Sequence, residues 1–166
     1  MIPRDSHTVL DFGCGNGYTL KALRKLSPRS NFIGINVSYI VIKKAQKLNP
    51  DVKYYQLDDG SKLPMKSRTI DFIFAGDVIE HVYDTESLFN EFERILKIGG
   101  KILITTPYHR LIKNLIIVLT NFELVFDPMG VHIRFFTPKS LCSALERVGF
   151  SITKLGFFGR FFPYLT

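Results

Sequence analysis

The sequence predicts an α/β domain in which a mostly parallel β-sheet is flanked by helices. Short apolar runs rich in β-branched and aromatic residues alternate with amphipathic stretches, which is the pattern of a parallel sheet covered by helices. The first of these runs ends in a glycine-rich loop that leads into a helix. A chain of 166 residues that is 46% apolar and 22% charged can bury one sizeable core. We therefore expect residues 1–166 to form a single domain.

Six apolar runs are the predicted strands. Their continuous hydrophobicity favours strands buried on both faces, as in a parallel sheet. They are Thr8–Phe12, Phe32–Asn36, Lys53–Leu57, Ile70–Ala75, Lys101–Thr106 and Ser151–Leu155.

Four helices are predicted between these strands from capping residues and helix breakers. In chain order, the boundaries are Pro28 at the end of the first, Ser38 at the start of the second, Asp84 and Gly99-Gly100 around the third, and Thr137-Pro138 and Gly149 around the fourth.

The segment Tyr108–Phe136 interrupts the regular alternation and is too long for a simple loop. Its piece Leu111–Leu119 has a helix-like pattern, so we expect an insertion or lid above the strand ends, at about residues 108–136. Apolar residues there alternate with Arg110 and Lys113, which favours either a lid over a lipophilic acceptor or contact with a membrane surface. A helix packed on the sheet is the simpler alternative.

The formal charge of +7 is unevenly distributed along the chain. Residues 1–50 carry +6, residues 51–100 carry −4 and residues 101–166 carry +5. A basic average with an acidic centre argues against a continuous nucleic-acid-binding surface. Cys14 and Cys142 lie far apart without metal-ligand spacing, which argues against a disulfide framework and a zinc site. With no apolar run long enough to span a bilayer and no secretory signal, we expect a cytoplasmic protein.

The strongest local motif is Val9-Leu10-Asp11-Phe12-Gly13-Cys14-Gly15-Asn16-Gly17, an apolar strand that enters a glycine loop and then a helix. Glycines at this point let the backbone approach a ligand at a helix N-terminus. The spacing is G-x-G-x-G, and Tyr18 stands where a dinucleotide fingerprint needs its last glycine. This pattern therefore disfavours NAD and FAD.

Together with that loop, a series of ordered motifs resembles the class I S-adenosylmethionine-dependent methyltransferases, in particular their small-molecule branch. The resemblance covers the chain from Val9 to about Gly156. The further motifs, in order, are Gly34-Ile35-Asn36-Val37-Ser38, Asp58-Asp59-Gly60, Leu63-Pro64, Asp71-Phe72-Ile73-Phe74, Glu80-His81-Val82, Leu96-Lys97-Ile98-Gly99-Gly100-Lys101, Phe135-Phe136-Thr137-Pro138 and Val148-Gly149-Phe150.

The resemblance implies a site for S-adenosyl-L-methionine at the strand ends, with a Rossmann-like, class I methyltransferase fold. It implies that Asp11 orients the loop and that Gly13, Cys14, Gly15 and Gly17 lie along the methionine moiety. Asn36 is implied at the ribose and Asp77 near the sulfonium. The residues implied at the adenine are Val37, Asp59 and Gly60. Asn36 departs from the family's usual Asp or Glu, which costs charged hydrogen bonds to the ribose worth about 1–2 kcal/mol.

Three histidines are the candidate catalytic residues, because an oxygen acceptor must lose a proton and histidine is the usual base near neutral pH. They are His81, His109 and His132. No metal is expected. The alternative is a divalent cation held by Asp77, Glu80, His81 and His132, a pattern similar to the metal cluster of some family branches.

The predicted function is methyl transfer from S-adenosyl-L-methionine to oxygen, nitrogen or carbon of a small molecule. One alternative is a truncated or degenerate member that binds without activity, motivated by Asn36 and by short ends that lack the expected N-terminal helical segment and last strand. Another is an RNA methyltransferase, motivated by the basic flanks. The aromatic segment Gly156–Tyr164 further suggests a homodimer that covers it.

Overall fold

The computed structural model describes residues 2–3, 6–58, 62–108, 111–120, 122–125 and 133–157. In this part of the chain, five strands form one sheet in the order β3-β2-β1-β4-β5, and every neighbouring pair is parallel. The strands are β1 (Thr8–Phe12), β2 (Asn31–Asn36), β3 (Lys53–Gln56), β4 (Ile70–Gly76) and β5 (Leu96–Thr105).

The helices confirm the predicted caps. Ser38 accepts a hydrogen bond from the Val41 amide at 3.4 Å, and Asp84 accepts one from the Ser87 amide at 2.9 Å. The helices are α1 (Tyr18–Leu26), α2 (Tyr39–Leu48), α3 (Thr85–Ile95), α4 (Leu111–Thr120), α5 (Phe122–Val125) and α6 (Pro138–Arg147), with a 3-10 turn at Ile79–His81.

The sheet has a hydrophobic core on each face, because successive residues of a strand point to opposite sides. On one face, Leu10 and Phe12 pack with residues of α3, including an edge-to-face contact of Phe12 and Phe92 with ring centroids 5.0 Å apart. On the other face, Val9 packs with Leu20 of α1. This two-sided burial confirms the prediction of a sheet flanked by helices.

The strand order reverses between β1 and β4, since the chain moves outward through β2 and β3 and then returns to the other side of β1. In a parallel sheet, all carboxyl ends lie at one edge, and such a reversal opens a crevice there. The segments that follow β1, β2, β4 and β5 therefore leave the sheet at this carboxyl edge, which is where α/β proteins bind ligands.

The predicted sixth strand is wrong. The segment Ser151–Leu155 forms no strand, and every side chain from Ser151 to Phe157 is exposed. Although its composition favours a strand, it has no buried apolar face that would hold it against β5. Within the described residues, β5 is therefore the edge of the sheet.

The boundary between α3 and β5 also differs from the prediction, because α3 ends at Ile95 rather than at Gly99-Gly100. Leu96 already pairs with Ile70 of β4 and is buried, so the chain turns into the sheet before the glycines. The ladder resumes where Lys101 pairs with Phe72.

The insertion contains the predicted helix, now α4, followed by the short α5. Of the side chains described there, Ile117 is buried, whereas Leu115, Ile116, Val118 and Leu119 are exposed. No helix in the described ranges is long and apolar enough to cross a membrane. The aromatic residues from Phe158 to Tyr164 lie outside the described residues.

Candidate active site

The glycine loop after β1 is fixed to the neighbouring strand by its own backbone. The amides of Gly13 and Cys14 both donate to the Ile35 carbonyl oxygen of β2, each at 2.9 Å. Gly13, Gly15 and Gly17 have φ angles of 74°, 49° and 82°, in the left-handed region that favours glycine. The sequence predicted this loop correctly, and the reason for three glycines is the repeated left-handed backbone.

The three glycines differ in what lies beside them. A Cβ atom on Gly13 would lie 2.6 Å from the Val78 side chain, and one on Gly17 would lie 2.8 Å from the Asn49 amide nitrogen. A Cβ on Gly15 would meet nothing within 4 Å. Gly13 and Gly17 are therefore packed against the protein, while Gly15 presents its backbone to open space that a ligand can enter.

Asn49, at the end of α2, holds the far end of this loop. Its side chain is buried, its amide nitrogen donates to the Gly17 carbonyl oxygen at 3.0 Å, and its amide oxygen accepts from an Arg24 guanidinium N–H at 3.4 Å. The Gly17 oxygen also accepts the first backbone bond of α1, from Lys21 at 3.0 Å. Asn49 was missed in the sequence, where it is only a polar residue after a helix.

Asp11 lies at the end of β1 with 1% of its surface exposed. Its Oδ2 atom is buried and has no hydrogen-bond donor, and burial raises the pKa of this carboxyl to about 7. An unpaired buried polar atom costs about 1–3 kcal/mol. A buried carboxyl oxygen without a donor, in the strand that leads into the glycine loop, is suited to a ligand that brings a hydrogen-bond donor.

The Cys14 side chain faces the core rather than the open side of the loop. It is 4% exposed and packs in the same cluster as Val9 and Leu20. Burial, and secondarily the charge of Asp11, raises the pKa of the thiol to about 12. A buried thiol with a raised pKa stays protonated near neutral pH, so the backbone is the part of Cys14 that faces the loop.

The end of β2 supplies two of the predicted residues. The Asn36 Oδ1 atom accepts a hydrogen bond from the Ser38 amide at 2.9 Å, which occupies one acceptor position of that oxygen. Val37 is 63% exposed, and its carbonyl oxygen accepts from the Gln56 side chain of β3 at 3.1 Å. The exposed apolar side chain is available to pack against a flat apolar group.

Asp77 follows β4 in a left-handed conformation, with a φ angle of 49°. Its amide donates to the Thr105 carbonyl at 2.9 Å, and its carboxylate accepts from the Thr105 hydroxyl at 3.1 Å. Residues other than glycine adopt this backbone rarely, and such strain is concentrated at functional sites. Contacts with β5 hold Asp77 in this conformation at the carboxyl edge.

Glu80 lies in the 3-10 turn after β4 and is 2% exposed. Its Oε2 atom accepts from the Thr106 hydroxyl at 3.3 Å, whereas Oε1 is buried without a partner. Its carbonyl oxygen accepts the amides of Ile133 and Arg134 at 3.0 and 3.1 Å. The burial of Glu80 was not predicted, since an acidic residue in a short turn is ordinarily exposed.

His81, the next residue in the turn, is exposed. His109, His132, Asp59 and Gly60 lie outside the described residues, so their predicted roles stay predictions. Within the described ranges, no three His, Cys, Asp or Glu side chains form a group that could hold a metal ion.

Comparison with known proteins agrees with the fold. The profile of the methyltransferase domain family matches residues 2–155. The chain belongs to this family. It has the fold of the class I S-adenosylmethionine-dependent methyltransferases, as the ordered motifs predicted.

Individual members of the family show moderate similarity to this methyltransferase domain. It is 31% identical to the human mitochondrial ubiquinone biosynthesis O-methyltransferase, over 87% of this chain and 41% of that protein. It is 29% identical to a malonyl-[acyl-carrier protein] O-methyltransferase of Legionella pneumophila, over 59% of this chain and 35% of that protein. A solved S-adenosylmethionine-dependent methyltransferase from Archaeoglobus fulgidus matches with a TM-score of 0.74 at 23% identity, over 94% of this chain and 66% of that one. The methyltransferase domain thus spans between a third and about two fifths of these two curated relatives.

The contact between Asn49 and the glycine loop gives a first prediction. In the Asn49→Asp variant, a carboxylate oxygen replaces the amide nitrogen and faces the Gly17 oxygen, so the two acceptors repel each other. We expect S-adenosylhomocysteine to bind roughly tenfold more weakly, equivalent to about 1.4 kcal/mol, as measured by isothermal titration calorimetry.

The control is Asp51→Asn, which removes the exposed ion-pair partner of Arg24 and leaves Asn49 intact. Exposed ion pairs contribute about 0–1 kcal/mol, so ligand affinity should stay close to that of the wild type. Equal affinity in both variants would show that Asn49 does not hold the loop.

The raised pKa of Asp11 predicts a pH dependence of stability. Between about pH 4 and pH 7 the folded state keeps the proton that the unfolded state has released, so the free energy of unfolding falls as the pH rises through this window. Asp11→Asn removes this penalty, which reaches up to about 4 kcal/mol above pH 7. Urea denaturation at pH 5 and pH 8 should show a larger gain for the variant at pH 8. A gain that is the same at both pH values would contradict the assignment.

Proposed function

We propose that this chain is the cofactor-binding domain of an enzyme that transfers a methyl group from S-adenosyl-L-methionine to a small molecule. The observation that carries the proposal is the open backbone at Gly15, in the loop that follows β1 at the point where the strand order reverses. The buried Oδ2 atom of Asp11, in the strand that leads into this loop, has no partner. The family membership supports the same cofactor.

The described residues fit the chemical groups of this cofactor. The loop at Gly15 leaves space for the amino acid end, and Asp11 offers an acceptor for a donor such as an ammonium group. The exposed Val37 suits packing against the adenine, and we assign Asn36, at the end of β2, to the ribose hydroxyls. When bound, the cofactor supplies a methyl group on a positively charged sulfur, which becomes a neutral thioether after transfer.

Oxygen is the methyl-accepting atom that the relatives favour. Two curated relatives are named as O-methyltransferases, one of ubiquinone biosynthesis and one of malonyl-[acyl-carrier protein]. We extend that preference to this chain as part of the proposal. The exposed apolar side chains of α4 are compatible with a lipophilic acceptor, which is one of the alternatives that the sequence left open.

A pair of glycine variants tests the cofactor site. Gly15→Ala adds a methyl group to the open backbone, and we expect it to weaken S-adenosylhomocysteine binding by roughly tenfold or more. Gly99→Ala is the matched control. Gly99 also has a left-handed φ, of 77°, and a Cβ added there would likewise meet nothing within 4 Å, but this glycine lies in the early part of β5.

The free energy of unfolding should fall by a similar amount in both variants, about 1–2 kcal/mol, because both force an alanine into the left-handed region. Titration calorimetry then separates a ligand effect from a backbone effect. Equal affinities for S-adenosylhomocysteine would place the ligand elsewhere. A wild-type chain that binds neither S-adenosylmethionine nor S-adenosylhomocysteine would favour the degenerate alternative.

Asn36→Asp is expected to tighten cofactor binding. The single Asn36 oxygen already accepts from Ser38, whereas a carboxylate can keep that bond on one oxygen and accept from a ribose hydroxyl with the other. The gain should be about 1–2 kcal/mol, or roughly 5- to 30-fold in dissociation constant.

Asn31→Asp is the control for the added charge, because Asn31 begins β2 at the opposite edge of the sheet. Its affinity for S-adenosylhomocysteine should match that of the wild type. If Asn36→Asp binds no more tightly than this control, Asn36 does not face the ribose.

A further inference from the structure

The two helices α1 and α2 carry positive charge and no acidic residue. They connect the parallel neighbours β1, β2 and β3, and because such crossovers are right-handed, both helices cover the same face of the sheet. Residues 12–50, which include both helices, contain no Asp or Glu. The seven basic residues of this range are Lys21, Arg24, Lys25, Arg29, Lys43, Lys44 and Lys47.

The two helices lie side by side and form one continuous outer surface. A Cβ atom on Gly17, which precedes α1, would lie 3.1 Å from Ala45 of α2. Arg24 of α1 donates to the side-chain oxygen of Asn49, which follows α2, at 3.4 Å. Arg24 also forms an ion pair with Asp51, so its charge is already compensated. We call the outer surface of α1 and α2 the basic face.

The charges of the basic face lack a counter-charge of their own. The six basic residues other than Arg24 are exposed, and none of them forms an ion pair with another described residue. Exposed charges of one sign repel each other, and they attract a partner of opposite charge. An anionic partner would supply the negative charge that residues 12–50 do not contain.

Large apolar side chains are exposed among these lysines. Tyr18 begins α1 and is 73% exposed, and Ile40 lies in the first turn of α2 and is 71% exposed. Tyr39 is exposed as well, and the Lys43 ammonium lies over its ring, 5.0 Å from the centroid. At the surface of a lipid bilayer such apolar side chains leave water, while lysines keep their ammonium groups at the level of the phosphates.

We infer that the basic face docks onto an anionic lipid bilayer. Its lysines would contact the lipid phosphates, and Tyr18, Tyr39 and Ile40 would enter the boundary between headgroups and acyl chains. A nucleic acid also carries phosphates, but its backbone gives the aliphatic Ile40 side chain no apolar partner, so the exposed apolar residues favour lipid. This interaction surface goes beyond the proposed function and does not depend on it.

Docking in this orientation brings the cofactor loop to the lipid surface. Both helices run from the carboxyl edge of the sheet back to its other edge, so Tyr18 and Ile40 lie near the carboxyl edge. Tyr18 directly follows Gly17, the last glycine of the loop. The edge at which the ligands are proposed to bind would therefore lie close to molecules dissolved in the bilayer.

Co-sedimentation of the full 166-residue chain with vesicles tests the charge contacts. Vesicles of phosphatidylcholine and phosphatidylglycerol in a ratio of about 2 to 1 should bind the chain at least about tenfold more tightly than vesicles of phosphatidylcholine alone. The double variant Lys43→Gln/Lys47→Gln should weaken binding to the anionic vesicles by roughly 10- to 30-fold, because each lysine at a lipid surface contributes about fivefold.

The matched control is Lys62→Gln/Lys66→Gln, which removes the same charge from two exposed lysines between β3 and β4. Its binding to the anionic vesicles should stay within about twofold of the wild type, because charges away from the docked surface are screened by salt.

The apolar contact has a separate readout, because the sequence contains no tryptophan. Tyr39→Trp places a single fluorophore on the basic face, and its emission should shift to shorter wavelength when anionic vesicles are added. The control is Ile98→Trp, which places the fluorophore at an exposed position in the early part of β5. Its emission should not change.

Any of four results would overturn the inference: no preference for anionic vesicles, an equal loss of binding in the two lysine pairs, no emission shift in Tyr39→Trp, or an equal shift in Ile98→Trp. Tighter binding of a transfer RNA than of anionic vesicles at the same salt concentration would also overturn it, and would assign the basic face to nucleic acid. The proposed function fails separately, because titration with S-adenosylhomocysteine reports on the cofactor site whether or not the chain binds vesicles.

Discussion

Strand β1 imposes the constraint on which the rest of the site depends. It is hydrogen-bonded to β2 on one side and to β4 on the other, and its residues are packed on both faces. The chain can leave it only at the carboxyl edge, and it must then turn sharply to place α1 against one face. The bonds from Gly13 and Cys14 to Ile35, and from Asn49 to Gly17, hold that turn. Because both ends of the loop are fixed by neighbouring elements, the exposed backbone at Gly15 has a defined position before any ligand arrives.

Among the described residues, the buried polar groups that the fold leaves unpaired lie in β1 and in the turn after β4. Within the described residues, the buried side-chain atoms without a partner are Asp11 Oδ2 and Glu80 Oε1. Asp11 is the penultimate residue of β1 and Glu80 follows β4, the two strands between which the order reverses. Buried polar groups elsewhere, such as the side chain of Asn49, are paired. Leaving these two carboxyl oxygens buried without a partner costs free energy of folding, which the packing of the rest of the domain must offset.

Local patterns predicted most of the fold, and long-range contacts account for what they missed. The caps at Ser38 and Asp84 and the glycine loop follow from rules that act within a few residues, and the structure confirms them. The contact of Asn49 with Gly17 joins residues 32 positions apart, and no local rule indicates it. Glu80 is buried by segments that are distant in sequence. The segment from Ser151 to Leu155 was predicted to be a strand from its composition, and it forms none. Strand composition alone does not supply the neighbouring strand that a strand needs.

The distribution of charge follows from the same geometry. Many of the basic residues that give the chain its charge of +7 are exposed, for example Lys43 and Lys47 of α2, where water screens them. The acidic groups Asp11, Asp77 and Glu80 instead lie at the carboxyl edge, and two of them are buried, where charges interact more strongly. A site with this arrangement favours a positively charged ligand, and the sulfonium of the proposed methyl donor carries that charge.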